Sequence, residues 1–268
     1  MTAKRQKIVV ITQLRESDHN LADCGRQLAA TFRKDLCLFY RARQDQQITG
    51  IETALQGLIP ETGTGQSFIN TSILVRHIPK EKVALTLADE EEAIIIIAAA
   101  SAFSTVRSTL QASPVPFLFI EEKTPWQNMF RKIITPVDLR SQIRDVLLWT
   151  IYFTKYFHAE SIVIGASDKS PDNRSQVKAH LNAFKKSALK FNLNHKIYRG
   201  SKNSLSVQYE ALDYARAGEA GLLVLLGSSV ITPLEWIFGI PEKKIIRKAG
   251  NLPVLIINPA REVYALCE

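Results

Sequence analysis

The sequence predicts an α/β protein with two tandem, doubly wound parallel sheets of five strands each. An internal repeat carries this prediction, because Lys7 to Arg15 (KIVVITQLR) matches Lys132 to Arg140 (KIITPVDLR) without a gap, 125 residues apart (132 minus 7). A second pair of segments ends the repeats, with Pro116 in one and Pro253 in the other. Between these landmarks, short apolar runs alternate with helical periodicity, which is typical of right-handed βαβ crossovers.

In the first repeat, β-branched and apolar runs bounded by polar turns predict five strands. They lie at Ile8 to Thr12, Leu36 to Tyr40, Ser72 to His77, Ala93 to Ala98 and Pro116 to Ile120. Apolar residues at helical spacing predict helices at Asn20 to Arg33, Ile51 to Leu58, Lys80 to Ala88 and Ala102 to Gln111. The run Ile94 to Ile97 is apolar on consecutive residues, which indicates a strand buried on both faces.

The second repeat shows the same alternation. Its predicted strands lie at Lys132 to Pro136, Ser161 to Ala166, His195 to Tyr198, Leu222 to Leu226 and Pro253 to Ile257. Its predicted helices lie at Ser141 to Phe157, Asn173 to Phe191, Ser204 to Arg216 and Pro241 to Ala249. The segment Glu121 to Phe130 is the expected linker, so we place the two domains at residues 1–122 and 130–260.

Composition indicates a cytoplasmic globular protein. The apolar run at the start of the chain is too short for a signal peptide or a membrane span. The three cysteines, Cys24, Cys37 and Cys267, form no CxxC pair and no disulfide framework, which favours a reducing compartment. The net charge of +8 is spread over several predicted helices, so solvated helix faces explain it better than a nucleic-acid site does.

Three segments of the second repeat resemble the universal stress protein family, in particular its tandem-domain members. They are Ile133 to Asp138 (IITPVD), Leu222 to Ser228 (LLVLLGS) and Asn251 to Asn258 (NLPVLIIN). The first repeat is recognisable mainly by its parallel to the second. The resemblance implies an adenine nucleotide alpha hydrolase-like fold. Because family members pair through their final strands, it also implies that the two repeats form an intramolecular pseudo-dimer.

The resemblance also implies where an adenine nucleotide would bind. Family members that bind ATP carry an Asp after the first strand and a segment Gly-x2-Gly-x9-Gly-Ser/Thr, whose glycines let the backbone donate N–H groups to phosphate. The matching positions lie in the second repeat. By resemblance, Asp138 would contact adenine or ribose, Ala166 would lie beside the base, and the phosphate positions would be Gly227, Ser228 and Gly239.

The phosphate segment of the second repeat departs from the family pattern. Counted from Gly227, Val230 and Ile240 occupy the second and third glycine positions, and Pro241 occupies the Ser/Thr position. Gly239 is one position early. Pro241 has no N–H to donate, and Val230 adds bulk where backbone must approach phosphate closely. We therefore expect an eroded site.

The first repeat departs further and is expected to be degenerate. Gln13 replaces the Asp, and Ala98 to Ser101 (AAAS) replaces the glycine loop. The distance from Ala98 to Pro116 is also shorter than that from Gly227 to Pro253, so most of the phosphate segment is missing. This repeat should not bind a triphosphate in the manner of the family.

Each site residue also has a structural explanation. Asp138 precedes a helical pattern and could cap that helix, and Gly227 with Ser228 could form a plain tight turn. The five histidines lie in different predicted elements without the spacing of a zinc or catalytic motif, and none is predicted beside Asp138. We expect no metal site and no catalytic residue.

These observations favour a non-enzymatic, cytoplasmic protein with a binding or signalling role in the stress response and with no expected cofactor. The alternative is an ATP-binding switch or slow ATPase that uses the second repeat only, with ATP or another adenine nucleotide as its ligand. The expected partners are proteins of unknown identity or a second copy of the chain. A membrane or a nucleic acid is not expected.

Overall fold

The computed structural model of the protein describes residues 5–44, 46–59, 69–124, 129–218, 220–227 and 241–258. The described chain divides into two compact units, one before and one after residues 125–128. Each unit contains a five-stranded parallel sheet, so the predicted α/β class is confirmed. Among the described residues, no helix is both long and apolar enough to cross a bilayer.

The first unit has the strand order β3-β2-β1-β4-β5, with every neighbouring pair parallel. Its strands are β1 (Lys7–Ile11), β2 (Asp35–Arg41), β3 (Thr71–Arg76), β4 (Ala93–Ala99) and β5 (Phe117–Ile120). Its helices are α1 (Asp18–Phe32), α2 (Ile48–Gln56), α3 (Val83–Glu91) and α4 (Phe103–Ala112). Short 3₁₀ turns, Lys80–Lys82 and Ala100–Ala102, lead into α3 and α4.

The second unit repeats this order as β8-β7-β6-β9-β10. Its strands are β6 (Lys132–Val137), β7 (Glu160–Gly165), β8 (His195–Arg199), β9 (Leu222–Leu226) and β10 (Val254–Ile257). Its described helices are α5 (Ile143–Tyr156), α6 (Pro171–Lys190), α7 (Val207–Ala217) and α8 (Pro241–Ala249). Each predicted strand and helix of both repeats is present, with ends that differ by at most three residues.

The landmarks of the repeat coincide with strand starts. Lys7 and Lys132 begin β1 and β6, while Pro116 and Pro253 directly precede β5 and β10. The central strands are buried along their whole length, since all residues of β4 and of β9 are buried. Burial on both faces is what consecutive apolar residues predict, and it is characteristic of doubly wound sheets.

The interior of each unit explains several residues that the sequence singles out. Cys24 and Cys37 are fully buried core residues, and burial raises the pKa of the Cys37 thiol to about 11. In the second unit, the rings of Phe153 and Phe157 stack, Phe130 packs against both at a tilt, and Trp149 packs beside Phe153. Core packing therefore accounts for the aromatic face of α5.

Candidate functional site

The residues implied to bind nucleotide lie at the carboxyl edge of the second sheet. Asp138 follows β6, Ala166 follows β7 and Gly227 follows β9. In doubly wound sheets this edge is where ligands bind, because the loops that leave neighbouring strands converge there. The remaining two predicted positions, Ser228 and Gly239, lie outside the described residues.

Asp138 is buried, and both of its carboxylate oxygens already have partners. Oδ1 accepts a hydrogen bond from the Arg140 backbone N–H at 2.9 Å. Oδ2 accepts from Nε and Nη2 of the same Arg140 at 2.9 and 2.6 Å. The acid therefore stabilises the loop after β6 through charge-assisted hydrogen bonds.

The hypothesis that Asp138 caps a helix is wrong. Helix α5 begins at Ile143, and its N-cap residue is Gln142, whose side chain makes no capping bond. A hydrogen-bonded turn over Arg140 to Gln142 separates Asp138 from the helix. The Asp138 carboxylate does accept a backbone N–H, that of Arg140, but this N–H belongs to the loop because the helix begins later than the sequence pattern predicted.

Ala166 and Gly227 use their backbone N–H groups within the sheet. The N–H of Ala166 donates to the Val137 carbonyl at 2.9 Å, and that of Gly227 donates to the Ile257 carbonyl at 2.8 Å. Gly227 also has no space for a side chain, because a Cβ there would lie 2.2 Å from Oδ1 of Asn258. The close approach of the Asn258 and Ile256 side chains favours glycine at this position.

Helix α6 brings a histidine to the loop after β6, which the sequence did not predict. His180 is buried, and a ring N–H donates to the Leu139 carbonyl. Desolvation and the charge of Arg144 lower the pKa of His180, while Asp138 and the bond to Leu139 raise it. Its Nε2 is buried and has no hydrogen-bond partner in the described part of the chain, so the ring supports the loop through its bond to Leu139.

The first unit contains a cavity of about 250 Å³ at the carboxyl edge of its sheet. The ends of β1 and β2 form one side of this first-unit cavity, and the start of α3 and the middle of α4 form the other. Its polar lining residues are Thr12, Gln13, Tyr40, Arg41, Arg43, Lys80, Thr105 and Thr109. Gln13 is the residue that replaces the family's Asp, so the repeat predicted to be degenerate keeps a cavity beside the position of that acid.

A larger open pocket of about 510 Å³ lies beyond β7 and β8 in the second unit. Several of its polar groups already serve the local fold. Ser204 donates its hydroxyl and its N–H to Asp168, and the N–H groups of Ser201 and Lys202 donate to Glu210. Across the described residues, no group of three or more His, Cys, Asp or Glu side chains is placed to hold a metal ion.

Comparison with solved structures identifies the fold. A universal stress protein from Archaeoglobus fulgidus superposes with a TM-score of 0.67 at 8% identity, covering 96% of this chain and 97% of that one. The chain has the fold of universal stress proteins. A putative universal stress protein from Pseudomonas aeruginosa gives a TM-score of 0.61 at 15% identity, covering 95% of this chain and 93% of that one.

The universal stress protein fold by itself does not fix an activity. The cytoplasmic domain of a prokaryotic cation chloride cotransporter is also similar, with a TM-score of 0.56 at 10% identity over 97% of this chain and 98% of that one. No protein-family model and no curated protein matches the sequence. Function must therefore be argued from the side chains at the carboxyl edges of the two sheets.

Proposed function

We propose that this protein is a non-enzymatic binding or signalling component of the cytoplasmic stress response, built on the universal stress protein fold with an eroded ATP site. The observation that carries the proposal is that both carboxylate oxygens of Asp138 are already hydrogen-bonded to Arg140. A nucleotide that used this carboxylate would have to displace a two-pronged contact with Arg140 and a backbone hydrogen bond. Charge-assisted contacts of this kind are among the stronger hydrogen bonds in proteins.

The glycine and alanine positions support the same conclusion. Gly227 is explained by the packing of Asn258, and the N–H of Ala166 is bound inside the sheet. In the first unit, β4 ends at Ala99 and a single 3₁₀ turn leads directly into α4. That connection is too short to wrap a triphosphate with successive N–H groups in the manner of a glycine loop.

Among the residues that the structure describes, those around Asp138 do not provide a general base for hydrolysis. His180, whose pKa is lowered by desolvation and raised less strongly by the charge of Asp138, has a buried Nε2. A general base has to lie within hydrogen-bond reach of the proton that it removes. A buried ring that is bound to the Leu139 carbonyl does not meet this requirement.

The experiment is a phosphate-release assay with ATP and magnesium, run on nucleotide-stripped protein beside an Asp138→Ala variant. We expect no release above that of the variant over many equivalents of ATP. Sustained turnover by the wild type that the substitution removes would overturn the proposal.

The remaining alternative is a switch that binds nucleotide without catalysis. A calorimetric titration of ATP, ADP and AMP distinguishes this switch from an eroded site. We expect no saturable binding in the second unit. Binding of one ATP per chain that Asp138→Ala abolishes would establish a nucleotide switch there instead. Asp168→Ala is the matched control, because Asp168 is also held by local hydrogen bonds at the carboxyl edge but lies beyond β7.

A further inference from the structure

Three basic side chains line the first-unit cavity. Arg41 ends β2, Arg43 follows two residues later, and Lys80 begins the 3₁₀ turn before α3. No Asp or Glu is among the described residues that line this cavity. Within the described chain, none of the three side chains forms an ion pair or a hydrogen bond. Uncompensated cations around a concave surface attract anions.

The inner wall of the cavity is apolar. Ile11, Phe39 and Val106 are buried and supply carbon surface. The hydroxyl of Thr12 donates to the Phe39 carbonyl at 3.1 Å, and that of Thr109 accepts from the Ala84 N–H at 2.6 Å. These two hydroxyl groups are therefore already used inside the unit. The wall suits the organic part of a ligand, while the basic rim suits its charged group.

The size of the cavity limits the ligand. Its volume of about 250 Å³ lies just below the range of roughly 300–1,000 Å³ that is typical for pockets holding drug-sized molecules. A small metabolite fits this space better than a nucleoside triphosphate does. The absence of a glycine loop after β4 agrees with this limit, because the polyphosphate would have no backbone cradle.

We propose that the first-unit cavity binds a small phosphomonoester, with the phosphate on Arg41, Arg43 and Lys80 and the organic group against Phe39 and Val106. Guanidinium groups match phosphate oxygens with paired, parallel hydrogen bonds. A phosphomonoester carries a charge of roughly −1.5 to −2 near pH 7, so three cations favour it over a singly charged carboxylate. This inference goes beyond the proposed function, since it concerns the other unit and a different mode of phosphate recognition.

The test is a calorimetric titration of phenyl phosphate into the full-length protein at physiological salt. Benzoate, which has the same ring with a carboxylate, and inorganic phosphate, which lacks the ring, are titrated in parallel. We expect one phenyl phosphate per chain, bound more tightly than either comparison compound. In a ¹H–¹⁵N spectrum, the amides of Tyr40 to Arg43 and Thr105 to Thr109 should shift on binding.

Paired substitutions identify the binding groups. The double variant R41Q/R43Q and the variant K80Q should each bind phenyl phosphate roughly tenfold more weakly or worse, as expected for the loss of a charge-assisted bond. The matched controls are R76Q and K82Q, which should bind as the wild type does. Arg76 pairs in register with Arg41 on the neighbouring strand, and Lys82 shares the turn of Lys80, but neither lines the cavity.

R41K/R43K keeps the charge without the planar fork and should recover part of the affinity, a result that an unfolded variant would not give. The proposal is overturned if R41Q/R43Q binds as the wild type does, or if benzoate binds as tightly as phenyl phosphate. It is also overturned if no binding is detected at millimolar ligand, or if the shifts map to Ser167 to Ser170 in the second unit. None of these outcomes alters the nucleotide result for Asp138.

Discussion

In both units, an Asp carboxylate accepts backbone N–H groups of the loop that follows the first strand. The Asp lies at a different position in each unit. In the second unit, Asp138 accepts the backbone N–H of Arg140 at 2.9 Å. At the equivalent place in the first unit, the N–H of Arg15 donates to Oδ2 of Asp18 at 3.2 Å, and that of Gln13 donates to the same oxygen at 2.7 Å. The carboxylate that holds the loop thus comes from Asp138, two residues before Arg140, in one unit and from Asp18, the first residue of α1, in the other.

This comparison shows why an Asp after the first strand is a weak indicator of ligand binding in this chain. The loop needs an acceptor for the N–H of the shared arginine, and an Asp on either side of that arginine in the sequence can supply it. Asp138 therefore has a sufficient structural role in the second unit. Gln13 is tolerated in the first unit because Asp18 has taken over that role.

The contact between the first helix and the first strand also differs between the two units. Gly25 of α1 faces Val10 of β1, and a Cβ on Gly25 would lie 2.5 Å from the Val10 methyl group. The equivalent pair in the second unit is Thr150 and Thr135, whose buried hydroxyls lie 2.8 Å apart. One unit brings helix and strand together by removing a side chain, whereas the other joins them with a hydrogen bond.

The largest expected effect is from Asp18→Ala. It leaves two part-buried backbone N–H groups without their acceptor, at about 1 kcal/mol or more for each, so the free energy of unfolding of the first unit should fall by about 2–3 kcal/mol. Hydrogen exchange of the β1 amides measures the free energy of unfolding of this unit separately from that of the other. Asp138→Ala is the comparison, and should lower protection of the β6 amides by only about 1–2 kcal/mol, since the Arg140 side chain can reach water. Equal losses would contradict the difference between the two loops.

Gly25→Ala should destabilise the first unit by roughly 2 kcal/mol, because the added methyl group overlaps Val10 in a packed core. Denaturant unfolding followed by β1 exchange measures this loss. The matched control is Gly50→Ala in α2, where a Cβ meets nothing within 4 Å. That control should be neutral or slightly stabilising, since alanine favours helix. A neutral Gly25→Ala would show that α1 can move away from β1.

The threonine pair of the second unit is suited to a double-mutant cycle. Thr135→Val or Thr150→Val alone should cost roughly 1–2 kcal/mol, because each leaves a buried hydroxyl with fewer partners. The double variant should cost less than the sum of the two, with a coupling of about 1 kcal/mol. Additive losses would mean that the two hydroxyls act independently. The hydrogen bond between Thr135 and Thr150 would then not be the counterpart of the packing of Gly25 against Val10.

The smallest expected effect is the pH dependence due to His180. Its pKa in the folded protein lies below the usual value of about 6.5, so the unfolded chain binds this proton more readily. The contribution of the neutral ring is fully present above pH 6.5 and is lost as pH falls through the lowered pKa of the folded state. Unfolding measured from pH 7.5 to 5 should therefore show a slope that His180→Gln reduces. The control is His158→Asn, at an exposed histidine of the same unit. An equal reduction of the slope by the two variants would show that His180 is not its specific source.

The sequence could predict the elements because their signals are local. The spacing from Lys7 to Lys132 aligned the first strands of the two units, and consecutive apolar residues marked β4 and β9 as buried on both faces. The predicted intramolecular pseudo-dimer and the roles of Ser228 and Gly239 stay predictions. Alternation and periodicity depend only on neighbours within a few residues, so they are visible before the chain is folded.

The tertiary structure decided which groups meet at the carboxyl edges. His180 reaches the loop after β6 from α6, Asn258 fills the space beside Gly227, and Lys80 joins Arg41 around the first-unit cavity. These residues are separated by some thirty to forty positions along the chain and carry no shared motif. The sequence by itself determined which segments form the sheets and helices. Only the packing of those segments decided which side chains support the loop after β6 and which line the first-unit cavity, because such contacts depend on the approach of elements that are distant in sequence.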